Sequence, residues 1–111
     1  MKRTLISTVA TLVALAFAVP AVAATPSYTG SVGPGFTITM AKKPTKAGKI
    51  RLVVSDKSSA HNFHLSGPGV NVKTAVPATG SKTFNVTLKK GTYKFVCDPH
   101  ASNMKGSFKV S

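Results

Sequence analysis

The segment Cys97-Asp98-Pro99-His100-Ala101-Ser102-Asn103-Met104 gathers a thiol, an imidazole and a thioether within eight residues. Such a soft to borderline donor set suits copper, and not magnesium or calcium. A further donor must come from elsewhere, and His61-Asn62-Phe63-His64-Leu65 supplies two histidines. If this run is a strand, His61 shares the inward face with Phe63 and Leu65, while His64 lies outward with Asn62. The expected ligands are therefore His61, Cys97, His100 and Met104. Two histidines and a cysteine with a weak axial methionine form the arrangement of blue-copper electron-transfer sites. Zinc on His61, Cys97 and His100 is the rival reading, and it leaves Met104 without a role. Cys97 and Met104 also have the alternative of being ordinary core residues.

The elements that must hold these donors read as short strands. Phe36, Ile38 and Met40 alternate with Thr37 and Thr39, and Ile50, Leu52 and Val54 alternate with Lys49, Arg51 and Ser55. Phe84, Val86 and Leu88, then Tyr93, Phe95 and Cys97, then Phe108 and Val110 repeat the pattern. Alternation of this kind predicts half-buried antiparallel strands. Gly33-Pro34-Gly35, Gly67-Pro68-Gly69, Pro77-Ala78-Thr79-Gly80 and Lys89-Lys90-Gly91 mark the turns. Ala24 to Val32 reads either as a first strand or as a tether. Seven or eight strands in one domain predict an all-β, two-sheet sandwich, with a small barrel as the alternative. In that scheme Cys97 ends a strand on its inward face, and the following loop returns His100 and Met104 toward it.

The first residues predict something other than the fold. Met1-Lys2-Arg3 is basic, Leu5 to Val19 is apolar and uncharged, and Ala21-Val22-Ala23 is a small-x-small cleavage signature. This reads as a secretory signal peptide over residues 1–23, cleaved after Ala23 with Ala24 as the next candidate, leaving one domain over 24–111. An uncleaved anchor is the alternative, but the apolar run is shorter than the ~20 residues of a spanning helix. Export to a periplasmic or extracellular compartment makes a lone thiol a liability unless it is buried or bound to a metal.

Composition narrows the function classes. Of 111 residues, 15 are Lys or Arg and only two, Asp56 and Asp98, are acidic, for a formal net charge of +13. With 42% of residues hydrophobic, the chain has the apolar material to fold. A single cysteine excludes a disulfide framework within the chain and any multi-cysteine cluster. The basic residues are scattered and lack an aromatic stacking row, which favours steering of acidic protein partners over nucleic-acid binding. Three histidines are too few for the additional copper centres of copper oxidases, so no independent catalytic activity is expected.

Together, His61-Asn62, the run Gly91-Thr92-Tyr93-Lys94-Phe95-Val96-Cys97-Asp98-Pro99-His100, and Met104-Lys105-Gly106 resemble the small blue-copper proteins of the cupredoxin family. The plastocyanin and amicyanin types are the nearest in pattern, and His61-Asn62-Phe63-His64 is most similar to the amicyanin one. The resemblance covers about Gly35 to Val110. It implies a Greek-key sandwich with one type 1 copper ion on His61, Cys97, His100 and axial Met104. It further implies a monomeric carrier of single electrons between redox partners, with Asn62 tying its strand to the ligand loop. Copper buffering or delivery without electron transfer is the alternative function. Val96 precedes the cysteine where plastocyanins usually have tyrosine, and no acidic patch accompanies it. Pro99, Ala101 and the Gly67-Pro68-Gly69 turn are the expected uncharged docking surface.

Overall fold

A computed structural model describes residues 10–14 and 24–111, and the signal-peptide reading over 1–23 falls outside them except at 10–14. No helix among the described residues is long and apolar enough to cross a membrane. The described elements are eight strands and one turn of 3-10 helix. In chain order the strands are β1 (Ser27–Val32), β2 (Ile38–Met40), β3 (Gly48–Asp56), β4 (His64–Gly67), β5 (Val70–Lys73), β6 (Gly80–Leu88), β7 (Gly91–Val96) and β8 (Lys105–Val110).

They form two four-stranded sheets, ordered β2-β1-β3-β6 and β5-β4-β7-β8. The connections β3–β4, β5–β6 and β6–β7 pass between sheets, so the expected all-β sandwich is found. Period-2 alternation explains the core: Ile50, Leu52 and Val54 of β3 face Leu65, Tyr93, Phe95, Phe108 and Val110 of the other sheet. Phe63 stacks on Phe95 at 5.6 Å and Tyr93 on Phe108 at 5.3 Å, which locks the ligand-bearing strands to their neighbours. Gly106 pairs with Phe95 and lies under its ring, where a side chain would collide.

Several sequence expectations change. Residues 27–32 form a strand and not a tether, and β1 pairs with β3 in parallel, the one parallel ladder among the described residues. The chain runs up β1, down β2 on its outer side, and returns through 41–47 to enter β3 in the direction of β1. Phe36 is not in a strand: the bend over 34–36 delays β2 until Ile38 and leaves Phe36 66% exposed. Phe84 and Val86 are only partly buried, because β6 is an edge strand that overhangs the core. The Gly67-Pro68-Gly69 turn lies at the end of the sandwich away from Cys97. It packs against Gly91 at the start of β7, so it cannot contribute to a docking surface around the ligand loop.

Candidate metal centre

Each donor is placed by local chemistry at one end of the sandwich. Where β3 stops, Asp56 Oδ1 accepts from Ser58 N at 3.0 Å, and Ser58 Oγ accepts from Ala60 N at 3.1 Å. These side-chain turns reverse the chain. They deliver buried His61, whose own N–H reaches Ser58 O at 3.4 Å. Gly33 packs against this turn with φ +71°, and a Cβ there would come within 2.9 Å of Ser58 Cβ and 3.5 Å of His61 Cδ2.

From the opposite sheet, β7 ends at Val96 and carries the fully buried Cys97 just past the strand. A 3-10 turn over Asp98–His100 follows, with Pro99 at a first-turn position that has no intrahelical bond to lose. His100 N donates to Cys97 O at 3.0 Å, Met104 N to His100 O at 2.8 Å, and Cys97 N to Met104 O at 3.0 Å. The loop from Cys97 to Met104 is thus closed by its own backbone at three points.

His61, Cys97 and His100 converge. The two Nδ1 atoms are 3.1 Å apart, and each is 3.6 Å from Cys97 Sγ. A triangle with those sides has a circumradius of about 2.0 Å, close to the metal–nitrogen and metal–sulfur distances of about 2.0–2.3 Å in such sites. Three donors with no carboxylate among them, one a buried thiol, form the soft to borderline set that copper takes. Met104 is buried in the same core cluster, with its backbone bonded to both Cys97 and His100.

Around these donors lies a polar network. Asn62, expected on the outer face, is buried, because the chain before β4 is not a strand and turns its side chain toward the loop. Asn62 Oδ1 accepts from Asp98 N at 2.7 Å, and Asn62 Nδ2 donates to Asp98 Oδ2 at 2.8 Å and Thr74 O at 3.2 Å. Thr74 Oγ1 accepts from Phe63 N at 2.9 Å. One amide therefore ties the chain beside His61 to the residue after Cys97 and to the end of β5, as the resemblance implied for Asn62. His64 faces outward, and its Nδ1 is 2.8 Å from Asp98 Oδ1. Partial burial opposes a charge on this imidazole, but its bonds to Asp98 and Asn71 outweigh that and raise its pKa above 6.5. For Asp98 burial again works against ionisation, and the bonds from His64 and Asn62 prevail, lowering its pKa below 3.8.

Phe36 is, with Asn62, a residue at this end that the alternation pattern misplaced. Its ring stands edge-on to His61 at 5.4 Å and to His100 at 5.0 Å, covering both from the solvent side. The signal was available in Gly33-Pro34-Gly35, since a bend there carries the next residue out of the strand register. The Asp98–His64 pair also went unforeseen, although Asp98 is one of two acids in the chain and adjoins the cysteine.

Comparison with known proteins agrees with this geometry. The profile of the copper binding proteins of the plastocyanin/azurin family matches residues 31–111. No curated protein matches the sequence. Among solved structures, the chain is similar to reduced rusticyanin, with TM-score 0.60 and 23% identity over 78% of this chain and 79% of that one. It is also similar to reduced auracyanin from Roseiflexus castenholzii, with TM-score 0.54 and 19% identity over 80% and 99%. An oxidized amicyanin variant has TM-score 0.54 and 16% identity over 75% and 80%.

Proposed function

The chain belongs to the plastocyanin/azurin family of copper-binding proteins, and from that premise we propose that His61, Cys97, His100 and Met104 would hold a type 1 copper in an exported carrier of single electrons. The observation that carries the ligand assignment is the convergence of two Nδ1 atoms and one buried Sγ around a point about 2.0 Å from each. The bound ion supplies a one-electron couple between Cu(I) and Cu(II). The protein's part is to keep its donors in place through both states. The backbone closure of the 97–104 loop and the Asn62 bonds to Asp98 and Thr74 do this, as supporting contacts around a metal site generally do. Burial of His61 and Cys97 excludes water from the thiolate.

His100 is the most exposed member of the cluster and, with Phe36 beside it, forms the port for electrons. Pro99 and Ala101 flank it on the loop. The excess of Lys and Arg over two acids steers a redox partner with an acidic docking surface. Residues 1–23 act as the export signal, residues 24–111 act as one monomeric domain, and the carrier works outside the cytoplasm, in the periplasm or beyond it. The chain has no catalytic activity of its own: two of its three histidines converge on Cys97 and the third is tied to Asp98 and Asn71.

Voltammetry of the copper-loaded protein tests the carrier reading. A rapid, reversible one-electron wave is the expected result. A slow or irreversible couple would instead assign the site to copper buffering or delivery.

A further inference from the structure

His64 is outside the donor set and yet is held at both ring nitrogens. Nδ1 meets Asp98 Oδ1 at 2.8 Å, and Nε2 meets the side-chain oxygen of Asn71 on β5. An imidazole with an oxygen acceptor at each nitrogen is arranged for its cationic form, in which both nitrogens donate. Asp98 in turn has one carboxylate oxygen on His64 and the other on Asn62, and its backbone N–H on Asn62 Oδ1. It directly follows Cys97. The chain's only other acid, Asp56, caps the Ser58 turn and faces neither His64 nor Asp98 by any hydrogen bond. The other charges on this face are all cations: Lys73 pairs with His64 in the β4–β5 ladder and opposes a positive imidazole, Lys105 lies beyond Val96 in the same cross-strand row, and Lys94 pairs with Ser66.

We infer that His64 is a charge-pairing and positioning residue: it cancels the Asp98 carboxylate beside the thiolate and so raises the reduction potential of the copper. The inference rests on the copper reading above. A negative charge next to the metal favours Cu(II) over Cu(I) and lowers the potential, and the interaction is strong where the surroundings are partly dry. Asp98 is 39% exposed and the ring of His64 only 21% exposed, so solvent screens the carboxylate incompletely and the imidazolium supplies the rest. Geometry adds a second contribution. The His64 bridge holds the carboxylate on the Asn62 amide, and that amide fixes the backbone next to Cys97.

Charge and shape separate in three variants, each copper-loaded and measured by voltammetry at about pH 5.5, below the ordinary histidine value of about 6.5. His64→Gln keeps hydrogen-bonding groups but loses the charge, and its potential should fall. His64→Lys keeps the charge and should return toward wild type. Asp98→Asn removes the negative charge and should raise the potential. In the copper-free protein, imidazole NMR should show the His64 titration midpoint dropping in Asp98→Asn, which reads the pair without the metal. An unmoved potential in His64→Gln overturns the inference, as does a shift in the same direction in His64→Gln and Asp98→Asn, which would mark mere loosening. A wild-type protein with no copper wave would sink the carrier reading and this inference together. A normal wild-type wave with an unmoved His64→Gln sinks the inference alone.

Discussion

The two ends of this sandwich are built by opposite means. At the end holding His61, Cys97 and His100, polar groups are buried and bonded to one another: Asn62 to Asp98 and Thr74, Thr74 to Phe63, Asp56 to Ser58. Both acids of the chain lie there. At the other end, short turns join β4 to β5 and β6 to β7, and one side chain organises both: Tyr93 Oη donates to Pro68 O and accepts from Lys89 N, both at 2.8 Å. Lysines collect there, with Lys89 and Lys90 in the β6–β7 turn and Lys42, Lys46 and Lys49 near the start of β3. The contrast teaches that the first end is shaped around something it must hold, at the cost of burying polar groups, while the second only terminates strands.

The largest test of that contrast is metal addition. Copper at a thousandfold excess over its Kd should stabilise the wild-type fold by about 4 kcal/mol, and thermal or denaturant unfolding should show it. In Cys97→Ser most of that gain should vanish, while Tyr93→Phe should keep all of it. A copper gain left intact by Cys97→Ser would break the distinction between the ends.

Next in size is Asn62→Ala, which strips three hydrogen bonds from a buried junction and leaves the Asp98 amide without its acceptor. About 2–3 kcal/mol of stability should be lost. Copper affinity should weaken roughly 10- to 100-fold by competition titration. Tyr93→Phe should cost about 1–2 kcal/mol, because Lys89 N and Pro68 O lose their partner, and it should leave the copper spectrum unchanged. If Tyr93→Phe altered the spectrum as much as Asn62→Ala, the two ends would not be independent.

Smaller effects follow from pH. The folded pKa of His64 is raised, so its contribution to stability is fully present below about 6.5 and is lost as pH rises through the folded value. Asp98 has a lowered pKa, so its contribution is present above 3.8 and is lost as pH falls through the folded value. Unfolding of copper-free wild type and His64→Gln should therefore differ most between those two limits and converge outside them. Solvent reaches both groups and screens the pair in part, which keeps the difference small. Smallest of all is Phe36→Ala, expected to change stability by no more than about 0.5 kcal/mol because the ring is exposed.

The convergence of His61, Cys97 and His100 was legible for a physical reason. His100 follows Cys97 by three residues, so a short loop after the strand brings the two together without knowledge of the sheets, and His61 is buried as expected although the chain there is not a strand. Elsewhere the determinants were not local. Asn62 was assigned outward because alternation was carried one turn too far, and its burial depends on Asp98 and Thr74, which lie 36 and 12 residues away. Phe36 followed a strand pattern that Gly33-Pro34-Gly35 interrupts. The parallel pairing of β1 with β3 and the remoteness of Gly67-Pro68-Gly69 from the metal end are properties of strand order, which alternation does not encode.

The central claim is that one thiolate and two imidazoles meet at a single copper ion, and the visible and electron-spin spectra after Cu(II) addition test it most directly. The wild-type domain should turn intensely blue with a type 1 signal, and Cys97→Ser should not. A colourless wild-type product, or a blue band that survives Cys97→Ser, would contradict the account.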